Sequence, residues 1–451
     1  MYALFSLLTA VGILLLSPYF LVRGLVHGKY LDNIPERLGW RFPPKLRAIA
    51  AGGEKERSIW IHAVSVGELL AVVPLAKQLK QRYPERRLVV STTTATGQKL
   101  ALERFDFADA VFYFPLDWKG PVRRALAATH AVIVIIVETE IWPNFLRECR
   151  RAEVPVVFVN GRLSERSFRG YRRAFSWSAG LLRGFVKRAL DDATLFLMQS
   201  EQDAARLLVL GAPEQRVLVT GNLKYDFAEP PESPLLNWLA QEFARNHLGP
   251  VVIAGSVGAN EETLVLQAFS DVEREFPGAQ LILAPRKPEQ FDNAAEIVAR
   301  SGHKLLRRRE ITLNGAGNVA MADSGTVILL DSLGELAGLY CLADAVYVGG
   351  SLVPVGGHNI LEPAAFGKAP VYGPSMENFR EMAENFVAAD AGIQVSSAEG
   401  LGAAWCGLLR EPQRAARMGA AARKLVEQNR GATSRVLEHI AQVIDSWRGR
   451  T

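Results

Sequence analysis

The chain opens with apolar residues and no charge from Met1 to Val22, then alternates between short apolar runs and amphipathic stretches to its end. An apolar segment of about 20 residues is long enough to cross a bilayer as a helix. It has no basic start, and Arg23, His27 and Lys29 follow it where a cleavage site would need small residues. Residues 1–22 are therefore expected to be an uncleaved N-terminal anchor with the rest of the chain on the cytoplasmic side, because basic flanks stay inside.

Beyond the anchor, β-branched runs predict buried parallel strands at Ser58–His62, Arg87–Ser91, Ala110–Phe114, Ala131–Val137, Val154–Val159, Thr194–Met198 and Arg216–Thr220, separated by helical stretches such as Glu68–Arg82. Residues 227–235 hold three prolines and no apolar period, as a linker does. The alternation then resumes at Pro250–Ala254, Gln280–Ala284, Val327–Leu330, Ala345–Val348, Ala369–Tyr372 and Gly392–Val395, and residues 412–447 read as continuous helix. The expected architecture is α/β: two Rossmann-like domains, residues 23–226 and 236–451, facing a central cleft, with the last helix free to pack back on the first domain. Ligands of such sheets bind beyond the carboxyl ends of the strands.

Composition narrows the class. Hydrophobic residues at 49% and charged residues at 22% exclude a disordered chain. Three scattered cysteines exclude a disulfide framework or a CxxC zinc site. The net charge of +5 is mild, but it is concentrated. From Arg162 to Arg188 the cations Arg166, Arg169, Arg172, Arg173, Arg183 and Lys187 face only Glu165 nearby, with Phe168, Tyr171, Phe175 and Trp177 between them. That mixture suits an anionic, partly apolar surface, and the anchor favours lipid over nucleic acid.

The strand ends carry the candidate chemistry. His62-Ala-Val-Ser65-Val-Gly67-Glu68 places an acid in the first turn of a helix, where it either complements the helix dipole or serves as a general base. Gly67 is read as permitting a tight turn. Glu138 and Glu140 follow the Ile/Val-rich fourth strand, and Lys224 follows the seventh. In the second half, Pro285-Arg286-Lys287 suits a phosphate. Gly349-Gly350 and Gly356-Gly357 precede His358-Asn359-Ile360-Leu361-Glu362 and predict backbone N–H groups for a phosphate beside an acid for ribose. No GxxxxGK[ST] motif and no GxGxxG after the first strand are present, and no DxD or clustered His/Cys argues for a catalytic metal.

In order, HAVSVGE, VETEIWPN, NGRLS, GNLKYD, APRKPE, SLGEL and GGSLVPVGGHNILEPAAFG resemble the 3-deoxy-D-manno-octulosonic acid (Kdo) transferases of lipopolysaccharide synthesis, and the resemblance spans nearly the whole chain. It implies a GT-B fold, no cofactor, and transfer of Kdo from CMP-Kdo to the phosphorylated, acylated disaccharide precursor of lipid A at the inner membrane. It implies Glu68 as the base and Glu138 and Lys224 as charge-stabilising residues. CMP contacts fall on Pro285, Arg286, Leu333, Gly334, Glu335, Asn359, Ile360, Leu361 and Glu362. Ser65, Gly67 and Arg162 are the expected acceptor contacts. The segment Gly255–Glu262 departs from the family's Ser-Thr-His-x-Gly-Glu-Glu pattern by lacking the histidine. The nearest rival is a membrane-associated GT-B enzyme using a UDP-sugar, and a non-catalytic lipid-binding scaffold is the rival from another class.

Overall fold

A computed structural model describes residues 1–12, 15, 33–52, 57–178, 180–227, 233–311 and 325–448. The chain forms two compact units: Met1–Phe227 with Arg430–Thr451, and Ala228–Asn429.

The first unit is built on a seven-stranded parallel sheet of β1 (Ser58–His62), β2 (Arg87–Thr92), β3 (Ala110–Tyr113), β4 (Ala131–Val137), β5 (Val156–Gly161), β6 (Leu195–Met198) and β7 (Val217–Val219). Their order is β3-β2-β1-β4-β5-β6-β7, so the direction of winding reverses between β1 and β4. The central strands β1, β4 and β5 are buried along their whole length because helices cover both faces, whereas the edge strand β7 leaves Leu218 and Val219 exposed. In β4, Val134 and Ile136 enter one apolar cluster, and Ile133, Ile135 and Val137 enter the other. Trp60 centres the first cluster, edge-on to Phe145 with ring centroids 5.2 Å apart.

The second unit repeats the plan with β8 (Val251–Val257), β9 (Gln280–Pro285), β10 (Lys304–Arg307), β11 (Thr326–Leu329), β12 (Ala345–Val348), β13 (Pro370–Tyr372) and β14 (Ile393–Gln394). The order β10-β11-β9-β8-β12-β13-β14 reverses between β8 and β12. β10 was not expected from the sequence. It is a short edge strand whose first residue, Lys304, is exposed and whose last, Arg307, is charged, so it leaves no apolar run.

One departure concerns the far end of the chain. The stretch expected as one terminal helix breaks at Gly431, whose φ of +87° ends Pro412–Asn429 before Ala432–Arg448 begins. Asp226 accepts the Gly431 N–H at 2.6 Å and also that of Thr433, capping the last helix. Val436, Ile440 and Ile444 bury that helix in the first unit's core. Of the linker 227–235, residues 228–232 lie outside the described residues, and Pro234 already starts a helix, Pro234–Arg245.

At the other end, residues 2–12 are helical, and no helix among the described residues is long and apolar enough to cross a membrane. Residues 13, 14 and 16–22 of the expected anchor lie outside the described residues. The helix rests on the first unit through one face. The Tyr2 hydroxyl donates to Asp192 at 3.0 Å, Asn144 donates to the Ser6 hydroxyl at 3.1 Å, and the Trp118 indole donates to Thr9 at 3.2 Å. Tyr2 and Phe5 also pack on the Phe185 ring. Leu4, Leu7, Leu8 and Val11 are exposed on the opposite side.

Candidate active site

In the first unit the polar groups gather at the carboxyl ends of β1 and β4, where the winding reverses. The helix Val66–Arg82 begins one residue after Ser65. The Ser65 hydroxyl accepts the Glu68 N–H at 3.2 Å, and the Glu68 carboxylate accepts Ser65 N–H at 3.2 Å and Val64 N–H at 2.7 Å. This capping box fixes the carboxylate at the helix start. Glu68 is only 5% exposed. Burial foremost, then the charges of Glu138 and Glu140, outweigh those N–H donors and push it up to about 7. The dipole-complementing role and a base-like pKa therefore coexist in one residue. Gly67 does not make the expected tight turn. It lies inside the helix, outside the left-handed region, with only the Ser65 hydroxyl oxygen near a would-be Cβ, at 3.9 Å.

Glu138, just past β4, holds a left-handed φ of +59°. An acid rarely adopts that conformation, and such strain persists where surrounding structure enforces it. Its N–H donates to Val159 O at 2.9 Å, which pins it to the end of β5. Glu140 is also pushed up, by burial and then by Glu138. His62, in the same motif, is fully buried and stacked 3.7 Å from Phe114, with Nδ1 3.0 Å from the Ser91 hydroxyl. Burial lowers it to about 3, so it packs as a neutral ring.

Lys224 reaches the same end of the sheet by a return path. After β7 the chain turns back, with Thr220 and Gly221 N–H bonded to Met198 O, into a short turn at Leu223–Tyr225 that packs against the Val66–Arg82 helix. A ring of amides holds that turn. Asn160 Oδ1 accepts Leu223 N–H at 2.9 Å, and Asn222 Oδ1 accepts Lys224 N–H at 3.0 Å. Asn222 donates to Gln199 at 2.8 Å, and Gln199 donates to Asn160 O at 2.9 Å. Gln199 was missed in the sequence because one glutamine after a strand carries no motif. Arg162 follows β5 and is partly exposed.

The basic stretch separates into two helices, Glu165–Trp177 and Leu181–Asp191. Phe168, Tyr171 and Phe175 pack against the core, so only Trp177, 93% exposed, presents its ring outward. Leu181 and the cations Arg172, Arg173, Arg183, Lys187 and Arg188 are exposed beside it.

In the second unit the first glycine pair is not open to a phosphate. Gly350, Ser351 and Leu352 N–H, with Gly258 N–H, all donate to the buried Glu261 carboxylate at 2.5–2.9 Å, and the Tyr347 hydroxyl joins them at 2.8 Å. The nest is filled from within the protein, by the segment that departs from the family pattern. The second pair, Gly356 and Gly357, has φ of +100° and +75° and leads to Asn359. A Cβ on Gly356 would sit 2.6 Å from Asn378 Nδ2.

Asn359 Oδ1 accepts Leu361 N–H at 3.1 Å, and its amide donates to Glu362 at 3.1 Å. Burial pushes Glu362 up, against Asn359 and the Arg286 charge. Burial and then Arg286 lower His358 to about 4. Arg286, His358, Asn359 and Glu362 thus form one electrostatic group. Ile360 and Leu361 are fully buried, which leaves only their main chain for a ligand. The helix they start, Leu361–Ala365, has five residues and a correspondingly small dipole.

Pro285 ends β9, and Arg286 N–H donates to Val257 O at 2.9 Å. Leu333 is 67% exposed, and Gly334 holds a φ of +88°. Glu335 is taken up by a two-pronged ion pair with Arg308, at 2.9 and 3.0 Å, which fixes its turn. Arg308 was missed because its arginine run reads as surface charge. Among the described residues no group of three or more His, Cys, Asp or Glu side chains is placed to hold a metal.

Two doubly wound parallel sheets with polar groups at their switch points define a GT-B-like protein. A glycosyltransferase from Rickettsia africae superposes with a TM-score of 0.51 at 13% identity, over 88% of this chain and all of its own. The profile of a family described as 3-deoxy-D-manno-octulosonic-acid transferase (kdotransferase) matches residues 32–227. The chain is 32% identical to the 3-deoxy-D-manno-octulosonic acid transferase of Haemophilus influenzae, over 85% of this chain and 86% of that one. It is also 32% identical to the Bordetella pertussis transferase, over 92% and 90%. The chain belongs to the Kdo transferase family, glycosyltransferases of lipopolysaccharide biosynthesis.

Proposed function

We propose that the protein transfers Kdo from CMP-Kdo to the phosphorylated, acylated disaccharide precursor of lipid A, by direct displacement with inversion and without a metal. The observation that carries this reading is Glu68: a carboxyl raised to about 7, held rigidly at the switch point of the first sheet. At that pKa it accepts a proton near neutral pH, when the acceptor hydroxyl attacks. The new bond joins the acceptor oxygen to the anomeric carbon. The anomeric bond to the phosphate breaks, its electron pair leaves with CMP, and the hydroxyl proton goes to Glu68. Glu138 offsets the positive charge that develops on the sugar, and Lys224 offsets negative charge. In the second unit, Arg286 faces the CMP phosphate and the Asn359–Glu362 segment faces its ribose, with Pro285 and the Leu333–Glu335 turn beside them. Ser65, Gly67 and Arg162 contact the acceptor.

The reading extends to an anionic inner-membrane surface, with the catalytic units on the cytoplasmic side and residues 1–22 as the attachment. The exposed Trp177, Leu181 and neighbouring cations support it, since each Lys or Arg near an anionic leaflet contributes about 1 kcal/mol.

Incubating the full chain with CMP-Kdo, the lipid A precursor and a chelator, then weighing the products, tests the proposal. A mass gain of one or more Kdo units in chelator is expected. Transfer from a UDP-sugar instead, or none, rejects it.

A further inference from the structure

We propose that Arg37 binds a phosphate group of the sugar acceptor, an inference that rests on the acceptor role proposed for the first unit. No motif singled out Arg37, which lies in the short helix Ile34–Arg37, before the first strand.

The segment around it is built as a hook on the end of β3. Glu36 accepts Tyr113 N–H at 2.6 Å, Arg37 O accepts Leu116 N–H at 2.9 Å, and Leu38 O accepts Arg124 Nη2 at 2.7 Å. Gly39 turns away at φ +69°, and a Cβ there would lie 3.0 Å from Arg124 Cβ. The hook delivers the Arg37 side chain to the carboxyl ends of β2 and β3. Its guanidinium donates to Thr93 O, just past β2, and lies 5.0 Å from the centre of the Tyr113 ring. The Thr93 hydroxyl in turn donates to Val64 O at 3.4 Å, and Val64 N–H holds the Glu68 carboxylate. Three links therefore run from Arg37 to the proposed base.

Arg37 differs from the ion-paired arginines of its unit. Arg123 and Arg151 pair with Glu148, Arg150 with Asp192, and Arg206 with Glu165. Among the described residues no carboxylate forms an ion pair with Arg37; it is partly buried, and burial lowers its pKa against the charges of Tyr113 and Glu36. A cation drawn out of water and only partly offset by nearby charge is costly, and a bound anion reduces that cost. The guanidinium has five N–H donors in a planar fork, and a carbonyl and a ring face leave most of them for a phosphate. The proposed reaction offers phosphate on the acceptor and in the donor. The position beside the Glu68 turn favours the acceptor's.

The test measures steady-state transfer by the full chain in detergent. Wild type, Arg37→Met and Arg37→Lys are each given the phosphorylated acceptor and its dephosphorylated analogue. Losing a charge-assisted hydrogen bond weakens binding by roughly 10- to 150-fold. Arg37→Met should raise KM for the phosphorylated acceptor by that factor, leave KM for CMP-Kdo unchanged, and match wild type on the dephosphorylated analogue. Arg37→Lys, which keeps the charge but not the fork, should fall between. If Arg37→Met does not fold, Arg37→Lys against wild type on the two acceptors decides alone. An equal change on both acceptors, a raised donor KM, or no change overturns the assignment. Absence of Kdo transfer by wild type would instead reject the proposed function itself, and this inference with it.

Discussion

The Asn160 side-chain oxygen accepts the Leu223 N–H at 2.9 Å, tying the end of β5 to the turn that carries Lys224. Asn160 is fully buried and left-handed at φ +55°, a conformation asparagine tolerates better than most residues. Asn160→Ala should cost about 1–3 kcal/mol in denaturant unfolding, because a buried N–H loses its acceptor. Turnover should fall as well, since Lys224 loses its seat. Asn160→Gly relieves the backbone but still lacks the oxygen. If Asn160→Gly restores turnover, the backbone conformation and not the side-chain oxygen matters to Lys224.

Glu68 sets a pH profile. Transfer should rise with pH through about 7, where the carboxyl ionises. Glu68→Gln should lower turnover by about 10²-fold or more and remove that limb. Stability moves in the opposite direction. The folded carboxyl titrates near 7 and the unfolded one near its ordinary 4.5, so the folded state holds the extra proton. That contribution is complete below about 4.5 and is lost as pH rises through about 7. Denaturation midpoints of wild type relative to Glu68→Gln at pH 5 and pH 8 should show it, and parallel midpoints at the two values would contradict it.

Glu261 accepts five main-chain N–H groups, from Gly258 after β8 and from Gly350 to Val353 after β12. Glu261→Gln keeps the size but turns a donor toward donors. We expect a loss of about 3 kcal/mol, and calorimetric titration should show weaker CMP binding because the Gly356–Glu362 segment follows the nest. Unchanged CMP affinity in a folded variant would separate the nest from the donor site.

Deleting residues 1–12 uncovers Phe185 and removes the partners of Asn144, Trp118 and Asp192. The thermal midpoint should fall by about 2–4 °C per kcal/mol lost, while transfer in detergent persists. A segment that touched lipid alone would leave the midpoint unchanged on deletion.

Much of the fold was legible because parallel strands covered on both faces must be apolar throughout. Ala131–Val137 announces itself, and β10 between charged ends does not. Motifs rich in Gly, Glu and Asn at strand ends were legible as chemistry. Their wiring was not. Nothing in Gly349-Gly350 reveals that Glu261, far earlier in the chain, already fills the nest. Nothing in Glu335 reveals Arg308. Long-range pairing is decided by topology, and an isolated arginine such as Arg37 shows its place only when the sheet brings β2 and β3 beside it. The apolar first residues hid a similar detail: Tyr2, Phe5, Ser6 and Thr9, spaced along one helical face, are turned to the protein.

The last helix, Ala432–Arg448, completes the core of the first unit, and Asp226 caps it. During synthesis, domains generally fold as they emerge, N-terminal first. Here the unit that emerges first waits for a helix encoded after the whole second unit, because Val436, Ile440 and Ile444 leave the ribosome only once residues 228–429 have done so. Until then, the face of the sheet lined by Ile133 and Ile135 lacks part of its cover. Nascent chains stalled short of this helix should be protease-sensitive in the first unit, and a frameshift just before Ala432 should damage the part of the enzyme encoded first.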